Sequence, residues 1–258
     1  MKKLQSAFYL LIALALFSSC SISEEMDLSG GANGGYYKVD ADMGQALTMM
    51  KSMGGGDQLK DSSMAGAKDS SFSLFNQVDS IREFFTDKEL QYFLNGKGEM
   101  KMNMEENLFT MQLRYPIKDL KDMQQFFATQ HKIDSITKAN KDSIPETQDE
   151  ADMPIGQKNP PDFSKMLTPK TAYIITDTSI SREGIEKADM GGEMGDMKGM
   201  EMFFGQITIS TTIKLPRPAK IVKGDNARLL EDKKTVVISA SMLELVSSKE
   251  STKFYISF

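Results

Sequence analysis

The chain has 258 residues, a formal net charge of −5, 40% hydrophobic residues and 26% charged residues. This length suits one large domain or two small ones, and the hydrophobic content is sufficient for a buried core. The mildly acidic balance argues against a nucleic-acid-binding face, and the presence of a single cysteine excludes an internal disulfide.

The first twenty residues show the three zones of a secretory signal peptide. Met1-Lys2-Lys3 is a short positive start, and residues 8–17 form an uncharged apolar run. This run is too short to span a bilayer, which takes about 20 apolar residues, but it fits the core of a signal peptide. Ser18 and Ser19 then precede Cys20, the only cysteine of the chain.

Phe17-Ser18-Ser19-Cys20 resembles the lipobox of bacterial lipoproteins, although Leu is commoner than Phe at its first position. The resemblance implies that residues 1–19 are removed as a signal peptide, that the Cys20 thiol receives a diacylglycerol, and that the new amine is acylated, for example with palmitate. Two or three acyl chains anchor a protein stably, because each buried methylene contributes about 0.8 kcal/mol. An uncleaved signal anchor, or ordinary cleavage after Ser19, remains the alternative.

Residues 20–35 are polar, acidic and rich in glycine, and we expect them to form a lipidated flexible tether that holds the domain off the membrane. Within them, Glu24 and Glu25 resemble the export signal of Bacteroidota surface lipoproteins, although a solvated linker explains them equally well. The expected location is the cell envelope, with the lipid in the outer membrane, and the periplasmic and surface leaflets are both open.

A first α+β half is predicted over residues 36–131. Alternation predicts a strand over 36–42, with Tyr37, Val39 and Ala41 on its apolar face. A helix is predicted over 45–53 and an extended segment over 72–75. Thr86, followed by Glu89 three residues later, has the pattern of a capping box that opens a helix running through Phe93.

Alternating methionines and other apolar residues predict a hairpin in this half. Its strands surround a turn at Glu105-Glu106-Asn107, and Pro116 is expected to end it. An amphipathic helix is predicted from Asp119 to His131. The residues expected to face the core are Met100, Met102, Met104, Phe109, Met111 and Leu113 in the hairpin, and Leu120, Met123, Phe126 and Phe127 in the helix.

Residues 132–170 are charged and contain five prolines, which predicts a polar linker. A second α+β half is predicted over 171–258. The simplest arrangement is that it forms one domain with the first half. Its predicted elements are strands at 172–180, 203–215, 219–222, 235–240 and 254–258, a turn at 224–226 and a helix at 241–246. The predicted fold class is therefore α+β, with a mainly antiparallel sheet and a few helices packed on one face.

The chain contains 20 methionines, and five of them lie within residues 189–202. Thioethers are soft ligands that select Cu(I), so a copper-handling lipoprotein is one alternative function. No histidine or second cysteine lies nearby, and methionine is also an adaptable filler of cores and flexible surfaces. The candidate ligands are Met190, Met194, Met197, Met200 and Met202.

We find no catalytic constellation in the sequence, and no cofactor is expected. His131, the sole histidine, is expected near a helix end, where it would interact with the terminal carbonyls. The paired carboxylates Glu24-Glu25 and Glu105-Glu106 are expected to be solvated. The glycines at 54–56 and 191–192 lack the strand, lysine and helix of a phosphate loop. A cryptic carboxylate-dependent hydrolase is a further alternative function, besides the copper-handling lipoprotein.

Over the whole chain, the sequence resembles the uncharacterised outer-membrane lipoproteins of Bacteroidota. The lipobox, Asp40-Ala41-Asp42-Met43 before a Met-rich helix, and the hairpin within Gly96–Pro116 carry this resemblance. Segments 213–216 and 232–236 are also similar to LppM-like lipoproteins, whose folded domain resembles lipid-binding modules. Together they imply a non-catalytic binding or structural module of the envelope, attached by its lipid and engaging a lipid or an envelope protein.

Overall fold

The computed structural model describes residues 20–30, 34–51, 68–74, 79–103, 105–141, 173–184 and 207–258. Short 3-10 helices cover Asp79–Phe84 and Lys249–Thr252. The other elements are β1 (Ser21–Asp27), β2 (Gly35–Asp42), α1 (Gly44–Met50), β3 (Lys68–Ser73), α2 (Asp87–Leu94), β4 (Lys97–Asn103), β5 (Leu108–Ile117), α3 (Leu120–Lys141), β6 (Tyr173–Ile175), β7 (Ser179–Arg182), β8 (Thr208–Lys214), β9 (Ile221–Lys223), β10 (Ala227–Leu229), β11 (Thr235–Ser241), α4 (Met242–Ser247) and β12 (Phe254–Ser257).

The strands form two sheets. The larger has eight strands in the order β10-β11-β8-β1-β2-β5-β4-β3, and the smaller has four in the order β6-β7-β12-β9. Neighbouring strands are antiparallel except for β1 and β8, which run parallel. Strands from before and after residues 132–170 therefore share one sheet. The predicted α+β class with a mainly antiparallel sheet is confirmed.

The segment expected to be a flexible tether forms β1, a central strand of the larger sheet. Ser21–Asp27 pairs with β2 on one side and with β8 on the other. Ile22 and Met26 face inward and are at most 3% exposed. The tether prediction is wrong for this segment because its acidic, serine-rich composition conceals a period-two alternation of apolar residues.

The predictions for the first half are largely confirmed. The strand at 36–42 is β2, and its predicted face, Tyr37, Val39 and Ala41, is buried. The predicted hairpin is β4 and β5, joined by an exposed turn. Pro116 does not end the hairpin, since β5 continues to Ile117. β4 has no residue opposite β5 beyond Arg114, so this proline lies where one side of the strand is unpaired.

The helix predicted to end at His131 continues to Lys141 as α3, which removes ten residues from the expected linker. Met123, Phe126 and Phe127 face the core as predicted, and they are at most 7% exposed. Beyond His131, Ile133 still packs against the core. The helix continues because this contact extends its apolar stripe and no proline interrupts it before position 145.

The second half differs from its prediction at two points, of which the first is strand β10 (Ala227–Leu229), a strand that the sequence analysis does not predict. Residues 172–180 were expected to form a single strand, but they contain the hairpin β6–β7, closed by a hydrogen bond of 2.9 Å from Thr176 N to Ser179 O. The polar run Thr176-Asp177-Thr178 favours this turn. The remaining predicted strands correspond to β8, β9, β11 and β12, and the predicted short helix is α4, capped by Ser241.

The core lies on one face of the larger sheet, beneath α2, α3 and the smaller sheet. Aromatic rings fill the space between β2, β5 and α3, with centroid separations of 5.2 Å for Tyr37–Phe126, 4.8 Å for Tyr115–Phe126 and 4.6 Å for Phe127–Tyr173. These separations are in the range in which aromatic pairs attract beyond simple burial. The ring cluster holds the long helix against both sheets.

The capping box at the start of α2 also connects this helix to α3. The Thr86 backbone N–H donates to Glu89 Oε2 at 2.8 Å, and Lys132 Nζ of α3 lies 3.2 Å from the Glu89 carboxylate. The hydrogen bond from the Thr86 backbone, followed by those from the Thr86 hydroxyl and Lys132, holds the pKa of Glu89 below its ordinary value.

Glu89→Gln should therefore lower stability in a pH-dependent way. Glutamine preserves the cap geometry but removes the charge, so we expect a loss of about 0.5–1 kcal/mol at pH 7. Because the folded-state pKa is depressed, the contribution is complete above the ordinary glutamate pKa and disappears as the pH falls through the lowered value. Urea unfolding of both proteins between about pH 7 and pH 3 measures the difference.

Glu106→Gln, at the exposed β4–β5 turn, is the control and should leave the free energy of unfolding unchanged. A Glu89→Gln loss of stability that stays constant across the pH series would contradict the assignment to charge.

Candidate functional site

Glu24 occupies an inward position of β1, in the interior between the two sheets. The strand alternation places it between Ile22 and Met26, and it is only 4% exposed. A carboxylate in this position is destabilised unless charged and polar partners surround it. The fold supplies such partners around Glu24, and together with Glu24 they form the candidate site.

Four donors reach the Glu24 carboxylate. The Tyr37 hydroxyl donates to Oε1 at 2.6 Å. Oε2 accepts hydrogen bonds from the Tyr173 hydroxyl at 2.5 Å and the Thr211 hydroxyl at 2.9 Å, and it lies 3.5 Å from Nη1 of Arg182. We call these five residues the buried ion-pair network. Its members come from β1, β2, β6, β7 and β8, so both sheets contribute.

Arg182, which is 3% exposed, supplies the opposite charge from β7. Its Nε donates to the Thr252 carbonyl at 2.9 Å, and its Nη1 donates to the hydroxyls of Tyr173 at 3.0 Å and Thr211 at 3.2 Å. The guanidinium carbon also lies 5.1 Å from the centroid of the Phe254 ring. This planar cation is therefore held by hydrogen bonds and by aromatic contact.

The electrostatics of the network favour a fixed protonation pattern. Burial first, and then the Glu24 charge, raises the pKa of Tyr37 well above its ordinary value. Burial likewise raises the pKa of Tyr173, and Glu24 reinforces the shift although Arg182 opposes it. Both phenols therefore remain protonated donors at physiological pH. With both carboxylate oxygens engaged by donors, the arrangement holds a negative charge in place rather than offering a base for proton abstraction.

Glu25 points to the opposite face of the sheet. Its carboxylate lies 2.6 Å from Lys214 Nζ and accepts a hydrogen bond of 2.8 Å from the Tyr36 hydroxyl. Partial burial alone would raise the pKa of Glu25, but the hydrogen bonds from Lys214 and Tyr36 outweigh it and lower the pKa. Adjacent carboxylates are thus separated by the sheet, and the expectation that both are solvated in a tether is wrong.

This outer face of the larger sheet is polar. Besides the Glu25 contacts, Lys38 pairs with Asp40 at 2.8 Å, and Gln112 donates to Asp40 at 2.7 Å. The Arg114 guanidinium lies 4.4 Å from the centroid of the Tyr36 ring. Charged, amide and aromatic groups therefore alternate across β2, β5 and β8 on a partly exposed surface.

Cys20 lies immediately before β1 and is 2% exposed. Its carbonyl accepts a hydrogen bond of 3.0 Å from Thr208 N, so the residue is tied to the start of β8. No disordered stretch separates the cysteine from the sheet, since β1 begins at Ser21. Its lipidation stays a prediction.

The other sequence candidates do not converge on the network. His131 is exposed in the middle of α3, so the expectation that it lies near a helix end was wrong. Glu105 and Glu106 are exposed at the hairpin turn, as predicted. The signal-peptide segment 1–19, the glycine segments 54–56 and 191–192, and the cluster Met190, Met194, Met197, Met200 and Met202 lie outside the described residues.

Among the described residues, no group of three or more histidine, cysteine, aspartate and glutamate side chains could hold a metal ion. No helix within the described ranges is both long and apolar enough to cross a bilayer.

Sequence reasoning missed the network for two reasons. Its one local signal was the alternation of Ile22, Glu24 and Met26, which places a carboxylate on an apolar face. Arg182 follows Ile180 with the same spacing in β7. β1 and β7 belong to different sheets, and the packing of these sheets joins residues 158 positions apart. Local periodicity carries no information about that packing.

Fold and network together define an α+β domain whose two sheets are joined by an interior ion pair. The chain shows no significant similarity to a known protein family, a curated protein or a solved structure.

Arg182→Met should destabilise the domain by about 3–5 kcal/mol at pH 7, because it leaves the Glu24 carboxylate buried without its cation. Urea unfolding of both proteins at pH 7 measures the loss.

Lys214→Met removes the partner of Glu25 on the outer face and is the matched control, with an expected loss of at most about 1 kcal/mol. The double variant Glu24→Leu/Arg182→Met should lose less stability than the two single variants added together. Equal losses for Arg182→Met and Lys214→Met would show that the ion pair is not the constraint assigned to it.

Proposed function

We propose that the chain is a lipid-anchored, non-catalytic binding or structural module of the cell envelope. One observation carries the proposal: Cys20 follows a signal-like segment with a lipobox and leads, with no intervening residue, into a core strand. A lipid on Cys20 would thus be joined directly to the folded domain. The saturated hydrogen bonding of the network supports a non-catalytic role.

The burial of Cys20 sets a condition on the proposal. A diacylglyceryl group cannot be attached to a thiol that is 2% exposed without displacing its neighbours. The lipidated domain must therefore have more open surroundings at Cys20 than this structure has.

The two faces of the larger sheet differ, and this difference leads us to favour an envelope protein over a lipid as the ligand. The inner face is occupied by core residues such as Met26, Val39 and Ile213, each at most 3% exposed. The outer face presents Tyr36 and Arg114 among charged groups, and tyrosine and arginine are enriched where proteins bind each other.

Cys20→Ser should abolish lipid attachment when the full chain is produced in a bacterial host. Serine has no thiol to accept the diacylglycerol, so we expect the variant to leave the membrane fraction and its N-terminal peptide to lose the acyl mass. Mass spectrometry and membrane fractionation measure the two effects. Ser19→Ala, which keeps a small residue before the cysteine, is the control, and an unmodified Cys20 in the wild-type chain would refute the anchor.

The purified, unlipidated Cys20→Ser protein should carry no stoichiometric acyl lipid after denaturing extraction. The reason is that the inner face is filled by side chains of the protein itself. Mass spectrometry of the extract checks this expectation, and a lipid recovered at one equivalent would make lipid binding the preferred function instead.

A further inference from the structure

Three cations lie side by side on the outer face of the larger sheet. Lys97 of β4 is opposite Arg114 of β5, and Arg114 is opposite Lys38 of β2. Neighbouring strands are about 4.8 Å apart, so the three positions span about 10 Å. We call these residues the cationic row. Like charges directly opposite each other destabilise a sheet, and here they occur in a chain whose net charge is −5.

We propose that the cationic row binds an acidic segment of a protein partner. The inference rests on the proposed function, in which the outer face engages an envelope protein. It adds the carboxylate chemistry of that partner and the residues that contact it.

The charges that surround the row are compensated within the sheet. Lys214 pairs with Glu25 at 2.6 Å and lies 3.7 Å from Asp27. Lys38, at one end of the row, pairs with Asp40 at 2.8 Å. These ion pairs leave the positive charge of the outer face concentrated at the other two members of the row.

Arg114 and Lys97 are exposed, and neither forms an ion pair with a carboxylate in the part of the chain that the structure describes. Arg114 has a cation on each side, and Lys97 lies between Arg114 and Ser73. Glu99, the next outward residue of β4, is opposite Gln112 rather than a cation. A carboxylate bound over the row would therefore relieve a repulsion that the sheet does not compensate.

The guanidinium of Arg114 is held in place before any ligand arrives. It lies over the Tyr36 ring, with its central carbon 4.4 Å from the ring centroid. The Tyr36 hydroxyl in turn donates to Glu25 at 2.8 Å, which fixes the ring. Stacking uses the flat face of the guanidinium and leaves its N–H groups available at the edge, so little side-chain freedom is lost on binding.

The geometry of the row suits an extended acidic peptide. An arginine fork pairs with a carboxylate through two parallel hydrogen bonds. Carboxylates two residues apart on an extended segment lie on the same side and are separated by about 7 Å. This spacing is between the separations of adjacent and outer members of the row, about 5 Å and 10 Å. One carboxylate can therefore reach Arg114 while the next reaches Lys97.

The test uses the full chain, produced in a bacterial host and purified in a neutral detergent. The probe is an alternating Glu-Ser octapeptide that carries an uncharged dye, and fluorescence anisotropy gives its Kd. Arg114→Gln should raise the Kd at least about tenfold, because charge-assisted hydrogen bonds are lost. Arg114→Lys keeps the charge without the fork and should raise it about threefold.

Arg228→Gln is the matched control. Arg228 is also an exposed outward arginine, but it lies on β10 at the far edge of the sheet, opposite Val237. The control should leave the Kd unchanged. An alternating Gln-Ser octapeptide, which has the same length and no carboxylates, should not bind measurably.

Lys97→Gln is the second variant, and it tests the row by a different readout. It should raise the Kd about threefold, and its urea midpoint should be no lower than that of the wild-type chain, because a repelled cation is removed. A lowered midpoint would contradict the repulsion within the row.

Three results separate the possible failures. Equal Kd values for the wild-type chain and Arg114→Gln would overturn the site. Displacement of the Glu-Ser peptide by an equal concentration of inorganic phosphate would replace the protein partner by a phosphate-bearing ligand. A wild-type chain without lipid on Cys20 that still binds the peptide through Arg114 would overturn the anchor of the proposed function and leave the cationic row in place.

Discussion

The ion pair between Glu24 and Arg182 is the interaction on which the arrangement of this domain depends. Two opposite charges are removed from water between the two sheets, and such a pair is tolerated only when geometry and hydrogen bonds are complete. The pair determines the register of β1, because a shift by one residue would place Glu25 inside and Ile22 on the polar face. It also joins β1 to β7, a strand encoded 158 positions later.

This constraint explains why the N-terminal segment behaves as part of the core. β1 is flanked on both sides, and the parallel pairing with β8 connects it to the second half of the chain. Its inward residues share the core with the aromatic cluster of α3, while its outward residues join the ion pairs of the outer face. A lipid on Cys20 would therefore transmit its position to the whole sheet rather than to a loose leader.

Elements whose signal was local could be predicted from the sequence. The alternating hairpin of β4 and β5, the capping box at Thr86 and the inward face of α3 follow from periods of two and 3.6 residues and from cap chemistry. The predictions were wrong where the overall composition of a segment was given more weight than its hydrophobic period, as in β1. They were also wrong where the end of a helix or strand was placed at a single residue. Pro116 remained in β5 and His131 in mid-helix, because neighbouring strands and core contacts decide where an element stops.

By itself, the sequence determined the α+β class, the positions of most strands, and the presence of one cysteine behind a lipobox-like segment. Only the tertiary structure decided that Glu24 is buried while Glu25 lies partly exposed on the outer face, and that Cys20 adjoins a rigid sheet. The physical reason is that secondary structure follows from interactions among residues a few positions apart. The energetic state of a buried charge depends on partners such as Arg182 and Tyr173, which only the packing of the two sheets brings within reach.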